Sequence, residues 1–304
     1  MKTNKAQGMQ FAWIFALIIG AAILFLAVFF SGKLLQTGTY QTEAELSKSL
    51  DVLLNPFASV SQAEVTLSKP VSLPEVTQVN FSCSSSQDSE TMSILLKKGE
   101  TPFQNVIKNK YIFSEDFNTK DLWIFGKPFN AAWKVDDLIF VVSRNYCFIN
   151  PDDKIGKELG ELNASLIQVV SDSGKCKTDS MKVCFSGICD IYVNSEANYV
   201  RTKSGNILNF IDEATMYAAV FGSRMYDCNI ERLMRRLSLQ ADIFIAKADL
   251  LAKRGCYEIN AVKPELEGLK AAAESTKPIA TKLAAIKDYA SRIESKNPIS
   301  CPLY

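Results

Sequence analysis

Eight cysteines and a complete absence of histidine set the chemical repertoire of this chain of 304 residues. A cysteine can join a disulfide, ligate a metal or act as a nucleophile, and spacing decides among these. Cys83, Cys147, Cys176, Cys184, Cys189, Cys228, Cys256 and Cys301 include no C-x-x-C pair, and the nearest two, Cys184 and Cys189, enclose four residues. Without such pairs, and with no histidine to complete a mixed ligand set, the pattern speaks against structural zinc. The even number suits disulfides formed in an oxidising compartment, so all eight are disulfide candidates.

The missing histidine also removes the commonest general base and metal ligand. No G-x-S-x-G turn, P-loop or dinucleotide fingerprint takes its place. The acidic pairs Asp136-Asp137 and Asp152-Asp153 are the remaining candidates for catalysis. Neighbours on a strand face opposite ways, however, and acids at a helix start serve the helix, so both pairs are read as structural. No catalytic, cofactor-binding or metal-binding residue is assigned; an enzyme using carboxylates alone ranks third among the functional readings. Lysine and arginine total 34 against 33 acidic residues, giving a net charge of +1 without a basic tract, which argues against a nucleic-acid partner. Asn80-Phe81-Ser82 and Asn163-Ala164-Ser165 are glycosylation sequons if the domain is exported.

These residues must be positioned by elements that begin with an apolar run, Phe11 to Phe30, free of charge. As a helix it spans roughly 30 Å, the hydrocarbon thickness of a bilayer, and is read as a transmembrane segment. It is longer than a cleavable signal core, and Phe30 stands where a signal-peptide site needs a small residue, so it is read as a retained anchor. Lys2 and Lys5 precede it and Lys33 follows it, which places the N-terminus in the cytoplasm and the bulk outside. All eight cysteines lie on the outer side of that arrangement. Ala12, Ala16 and Gly20 recur every four residues and form a candidate packing face within the membrane.

The expected organisation is a leader over 1–10, the membrane helix over 11–30, a juxtamembrane linker with an amphipathic helix over 31–62, an α+β ectodomain over 63–205 and a helical region over 206–304. In the linker, Thr42 and Glu45 form a capping-box pattern for a helix from Glu43 to Leu54, with Leu46, Leu50, Leu53 and Leu54 on one face and Pro56 beyond it. Short alternating runs follow at 65–68, 76–81, 92–96 and 122–125. Leu138 to Val142 is continuously apolar, as in a strand covered on both faces. Pro151-Asp152-Asp153 then opens a helix to about Leu162, and Ser165 to Val170 reads as the next strand; the order suggests a βαβ-like element starting from Leu138 to Val142, and a mixed sheet fits it equally well. Met181 to Phe185 and Ile188 to Val193 are expected to form a hairpin turning at Ser186-Gly187, with Cys184 and Cys189 bridging it.

The last hundred residues read as helices over 211–226, from Ile230 to a stop at Gly255, and from Pro264 through Ile293, the last kinked or split at Pro278. They predict a helical hairpin or bundle. In the hairpin form the start of the second helix meets the end of the third, which pairs Cys228 with Cys301 and leaves Cys256 to pair elsewhere. Arg232, Arg235 and Arg236 lie on or near one helical face that could meet anionic lipid or a partner, and they are read first as a solvated polar face.

Lys5-Ala6-Gln7 ahead of the apolar run resembles the processing site of archaeal type IV pilin-like precursors, from which the chain departs at Gly8 and Phe11. That resemblance implies a filament subunit cut before Gln7. The start Lys5-Ala6-Gln7-Gly8-Met9-Gln10-Phe11, with Met216-Tyr217-Ala218-Ala219, Tyr226-Asp227-Cys228 and Arg232-Leu233-Met234, is similar to uncharacterised archaeal single-pass membrane proteins with a large cysteine-containing ectodomain. It implies topology and no activity.

The leading expectation is therefore a bitopic protein whose partners are the lipid bilayer and other envelope proteins, with the oligomeric state left open. Intact-mass measurement separates it from the filament reading. Retention of residues 1 to 6 is expected, and their loss supports a processed pilin-like subunit.

Overall fold

The computed structural model describes residues 17–29, 65–66, 70–86, 89–97, 102–162 and 164–304. Residues 17–29 are helical, and among the described residues no helix is long and apolar enough to cross a membrane. The expected helix over 43–54, Ala12, Ala16 and Asn163 lie outside the described residues.

The first sheet is built from β1 (Val65–Thr66), β2 (Val71–Ser86), β3 (Ser89–Lys97), β4 (Pro102–Ile107), β5 (Tyr111–Phe113), β6 (Phe117–Asn130) and β7 (Lys134–Val142). Its order is β4-β3-β2-β6-β7-β5, with β1 also beside β6. Neighbours are antiparallel except β5 and β7, which are parallel. The long β6 explains the shape: Phe117 to Leu122 pair with β2, whereas Trp123 to Asn130 pair with β7. One limb of the sheet thereby covers the other. Val79, Phe81, Met92, Ile94 and Leu96 pack in one cluster with Ile112, Ile124, Ile139 and Val141. Side chains alternate along a strand, so Leu138, Phe140 and Val142 point from β7 into a second, larger core. The two-sided burial expected of Leu138 to Val142 is what the two clusters produce.

The second sheet contains β8 (Tyr146–Ile149), β9 (Ile167–Val170), β10 (Met181–Cys184), β11 (Ile191–Asn194), β12 (Tyr199–Arg201) and β13 (Ile207–Asn209), ordered β13-β12-β11-β10-β8-β9. The strands from β9 to β11 run parallel, and β12 and β13 are antiparallel additions. Helix α1 (Asp153–Glu161) connects β8 to β9, and Asp152 caps it by accepting the Ile155 N–H at 2.8 Å. The expected βαβ element therefore exists, but it starts from β8; β7 belongs to the other sheet. The predicted hairpin is also corrected, because β10 and β11 are parallel, with Val183 beside Ile191. The chain doubles back through Phe185 to Asp190, turning at Gly187 with φ +84°, before resuming its direction. Asp190 secures the return by accepting the Lys182 N–H at 3.1 Å. The Cys184–Cys189 bridge is as expected, and it closes this return loop instead of a hairpin.

Between the sheets lies α2 (Glu213–Phe221), buried along its length from Ala214 onward. It stops at Gly222, where a Cβ atom would lie 2.7 Å from the Phe113 Cα. No side chain fits there, so the predicted helix over 211–226 is broken and the chain restarts as α3 (Tyr226–Lys253).

Helices α3, α4 (Lys263–Glu274) and α5 (Ile279–Lys296) form a three-helix bundle. Lys263 pairs with Asp249 and Lys270 with Asp242, so α4 runs back along α3. The helix is split at Pro278, one of the two outcomes expected, and the chain reverses there. Glu265 at the start of α4 consequently meets Arg292 and Lys296 at the end of α5, while Lys282 early in α5 reaches Glu231 early in α3. This reversal corrects the cysteine assignment. Cys256 pairs with Cys301 at a Cα separation of 6.5 Å, and Cys228 pairs with Cys83 on β2. Cys147 and Cys176 complete the set.

The Cys83–Cys228 bridge spans 145 residues and the Cys184–Cys189 bridge five. Loop-closure entropy assigns them about 5 and about 2 kcal/mol, before allowance for the other crosslinks. Thermal unfolding of Cys83→Ala/Cys228→Ala should therefore show a clearly larger loss than Cys184→Ala/Cys189→Ala. Equal losses would count against the long-range bridge.

Candidate functional site

The cysteines predicted as bridge partners form no reactive centre, since among the described residues none is free. Two bridges, Cys147–Cys176 and Cys184–Cys189, lie on the outer face of the second sheet, where Cys147, Ile149 and Cys184 form a small buried cluster. Asn80 sits mid-strand in β2 opposite Leu95, half-buried, and Gly20 lies in the helical segment 17–29 with nothing within 4 Å of a Cβ position.

Carboxylates do assemble, though at residues the sequence did not single out. A cleft of ≈ 620 Å³ opens between α1, the end of β6 and the start of α2. Lys127 reaches Glu158 on α1 and, at 2.8 Å, Glu213 on α2, and Lys154 also pairs with Glu213. The Lys127 ammonium lies 5.5 Å from the Tyr217 ring centroid. Burial works against its charge, but the hydrogen bonds to Glu158 and Glu213 outweigh this and raise its pKa. Burial likewise opposes ionisation of Glu213, and its two lysines prevail, holding it below the usual carboxylate range. Asp212 is different: burial pushes its carboxyl up, partly offset by hydrogen bonds from Thr215. It caps α2 by accepting the Thr215 N–H at 2.8 Å, and the Thr215 hydroxyl accepts the Asp212 N–H at 3.2 Å. Each carboxylate is thus committed to an ion pair or a cap. The cluster ties two helices to a strand.

A second concavity has charges to spare. The parallel strands β8, β10 and β11 begin at Tyr146, Met181 and Ile191, and a groove runs along these amino ends. One part, of ≈ 360 Å³, is lined by Tyr146, Met181, Ile191 and Val220, with Glu115 and Ser223 at its side. The other, of ≈ 700 Å³, is lined by Ser180, Lys182, Asp179 and Asp190. Arg144, Met181 and Lys203 belong to both. Lys203 pairs with Asp190 at 3.1 Å, while Glu115 accepts from the uncharged Ser223 hydroxyl at 2.9 Å and keeps its charge. Arg144 and Lys182 have no side-chain partner among the described residues. Burial pushes the Tyr146 phenol well above its ordinary range; Arg144 pulls it back and Glu115 pushes it further.

The arginines expected to face solvent are structural. Arg232 is 2 % exposed, donates to the Lys110 carbonyl at 3.1 Å and to the Asn229 side chain at 2.9 Å, and lies 5.1 Å from the Tyr111 ring centroid. Arg235 donates to the Ser85 carbonyl, and Arg236 pairs with Asp136 at 2.7 Å. Asp137 pairs with Lys134 at 2.7 Å, and Asp152 caps α1. Apolar neighbours Leu233 and Met234 beside Arg232 were the available signal that its position faces inward.

Comparison with protein-family models, curated proteins and solved structures finds no match.

Lys127→Met leaves Glu158 and Glu213 without their shared cation and should cost about 2–3 kcal/mol at neutral pH. A depressed folded-state pKa contributes stability above the unfolded value, near 4.5, that is lost as pH falls through the folded value. The difference between wild type and variant should therefore narrow on acidification, as denaturant titrations at several pH values would measure. A gap that widens in acid would contradict the network.

Proposed function

We propose that the chain is a single-pass membrane-anchored protein, its N-terminus cytoplasmic and its bulk outside the cytoplasm, acting as a binding or structural component of the cell envelope. The observation that carries this reading is the cysteine inventory. All eight cysteines follow the apolar run, and all eight are paired. Such saturation suits an oxidising compartment, and reducing cytosol would keep these thiols apart. The uncharged run from Phe11 to Phe30 supplies the anchor. Its described part is helical and carries exposed apolar side chains, Leu24 and Phe25 among them, as a lipid-facing helix would. A binding role is favoured over catalysis because the acidic cluster is internally neutralised, whereas the groove at Arg144 presents unspent polar groups around an apolar floor.

A membrane-impermeant maleimide applied to intact cells tests the topology. Thiols should stay unlabelled until a reductant is added and then become labelled from outside. Labelling without reductant, or protection of the reduced protein until the cells are opened, would contradict the proposal.

A further inference from the structure

We infer that α3 pairs in parallel with α3 of a second copy of this chain, through a seam of Leu239, Ile243, Ala246 and Leu250. This deepens the reading of the chain as a structural component of the envelope and rests on its membrane anchor.

Leu239 and Ile243 are each 66 % exposed and Leu250 is 51 % exposed, with Ala246 also open to solvent. Spaced i, i+4, i+7 and i+11, they lie along one line of the helix, at the a and d positions of a two-stranded coiled coil. This line is not the helix's packing face, because Leu237, Ala241 and Ala248 turn the other way and are buried in the large core. A lone exposed leucine needs no explanation, whereas a second apolar line on an already packed helix asks for a second cover. Arg236 and Lys253 stand at the next core positions and end the line at both sides.

The charges beside the seam choose its partner and its direction. With Leu239 at d, Asp242 and Asp249 fall at g, and Lys247 and Arg254 fall at e. In a parallel pair each g residue faces the e residue five positions later on the other helix. Asp242 then meets Lys247 of the second copy and Asp249 meets its Arg254, and symmetry makes each contact twice. An antiparallel pair sets g against g and e against e, so acid meets acid and base meets base. Asp242 and Asp249 hold Lys270 and Lys263 of α4 through one oxygen each, and their side chains stay 51 % and 48 % exposed. Lys247 donates to the Leu303 carbonyl, which uses one of the three donors of its ammonium. Arg254, at the C-cap of α3, is exposed.

So short a seam buries less than the roughly 1,200 Å² of a free-standing complex. Confinement of both chains to one bilayer compensates by raising their effective concentration for each other. Two chains so anchored share a twofold axis along the membrane normal, and upright helices beside that axis run parallel.

The test mixes ¹⁴N- and ¹⁵N-labelled full chain in detergent, reconstitutes the mixture into phosphatidylcholine vesicles and adds a carbodiimide, which joins a carboxylate to a lysine in contact. Mass spectrometry should find Asp242–Lys247 amides that combine a light and a heavy peptide and therefore link two chains. Ile243→Asp should lower their yield about tenfold or more, since it buries carboxylates in the seam. Its thermal midpoint should stay that of the wild type, because the position is exposed in the single chain. Asp242→Lys/Asp249→Arg and Lys247→Asp/Arg254→Asp should each pair poorly alone and recover when mixed, as co-capture of differently tagged chains would show. A misfolded variant does not recover in this way. The inference is overturned by the absence of mixed-isotope amides in α3, by pairing that survives Ile243→Asp, by charge-swapped chains that stay apart on mixing, or by crosslinks that place residues 31–62 of the same chain on the seam. Flotation of the chain with the vesicles reports the anchor separately, so failed pairing is distinguishable from failed anchoring.

Discussion

A helix without a polar face persists in water only if something covers all of it, and α2 imposes that condition on this chain. Every residue from Ala214 to Phe221 is buried. Phe221 shows how the cover is divided: its ring centroid lies 5.4 Å from Phe125 and 6.0 Å from Phe140, both of the first sheet, and 4.9 Å from Tyr146 and 6.0 Å from Phe148, both of the second. Neither sheet alone can bury this helix, so the two are held together by their common guest. The ends of α2 obey the same constraint. Its first N–H groups cannot reach bulk water freely and are met by the Asp212 and Thr215 capping box, and its last turn runs into β5 so closely that only Gly222 fits. One hydrophobic core accordingly extends from Tyr111 to Leu303 and contains residues on both sides of position 205.

The second organising device is the protection of β5. This short strand pairs with β7 on one side, and its other edge would expose carbonyls to any passing strand. Asn229 donates to the Ile112 carbonyl and Arg232 to that of Lys110, so side chains of α3 complete the pairing that a further strand would have made. Cys228, next to Asn229, fastens the same turn of α3 to β2. Polar and covalent restraints thus converge on one corner, where the folded-over sheet, its edge and the long helix meet.

Local chemistry was readable in the sequence and long-range geometry was not. Asp152 announces the start of α1, and five apolar residues from Leu138 announce a strand covered on both faces, because each signal acts within a few residues. Pro278 was equally visible, but a proline that kinks a helix and one that starts a new antiparallel helix look alike in one dimension. That ambiguity misassigned Cys228 and Cys301. The return loop after β10 misled for a related reason: a turn at Ser186-Gly187 fits a hairpin, and whether the chain turns a second time depends on Asp190 finding the Lys182 N–H. The β8 strand was not singled out between Val142 and Pro151, so the βαβ element was started one strand too early. The groove at Arg144 had no linear signature, because Arg144, Ser180 and Val220 become neighbours only when both sheets have packed around α2.

The order in which the cysteines emerge has a consequence for biogenesis. A chain threaded across a membrane from its N-terminus presents Cys83 first, yet the partner of Cys83 is Cys228, and Cys147, Cys176, Cys184 and Cys189 all arrive before it. Those four pair among themselves in sequence order, as do Cys256 and Cys301 at the end. Cys83 alone must wait, and the first thiol offered to it is the wrong one. The β2–β3 hairpin can form around Cys83 during that interval, since its pairing is local. Correct oxidation of this protein therefore requires that one thiol stay reduced, or be reshuffled, until α3 has emerged; under the proposed topology that task falls to the export machinery.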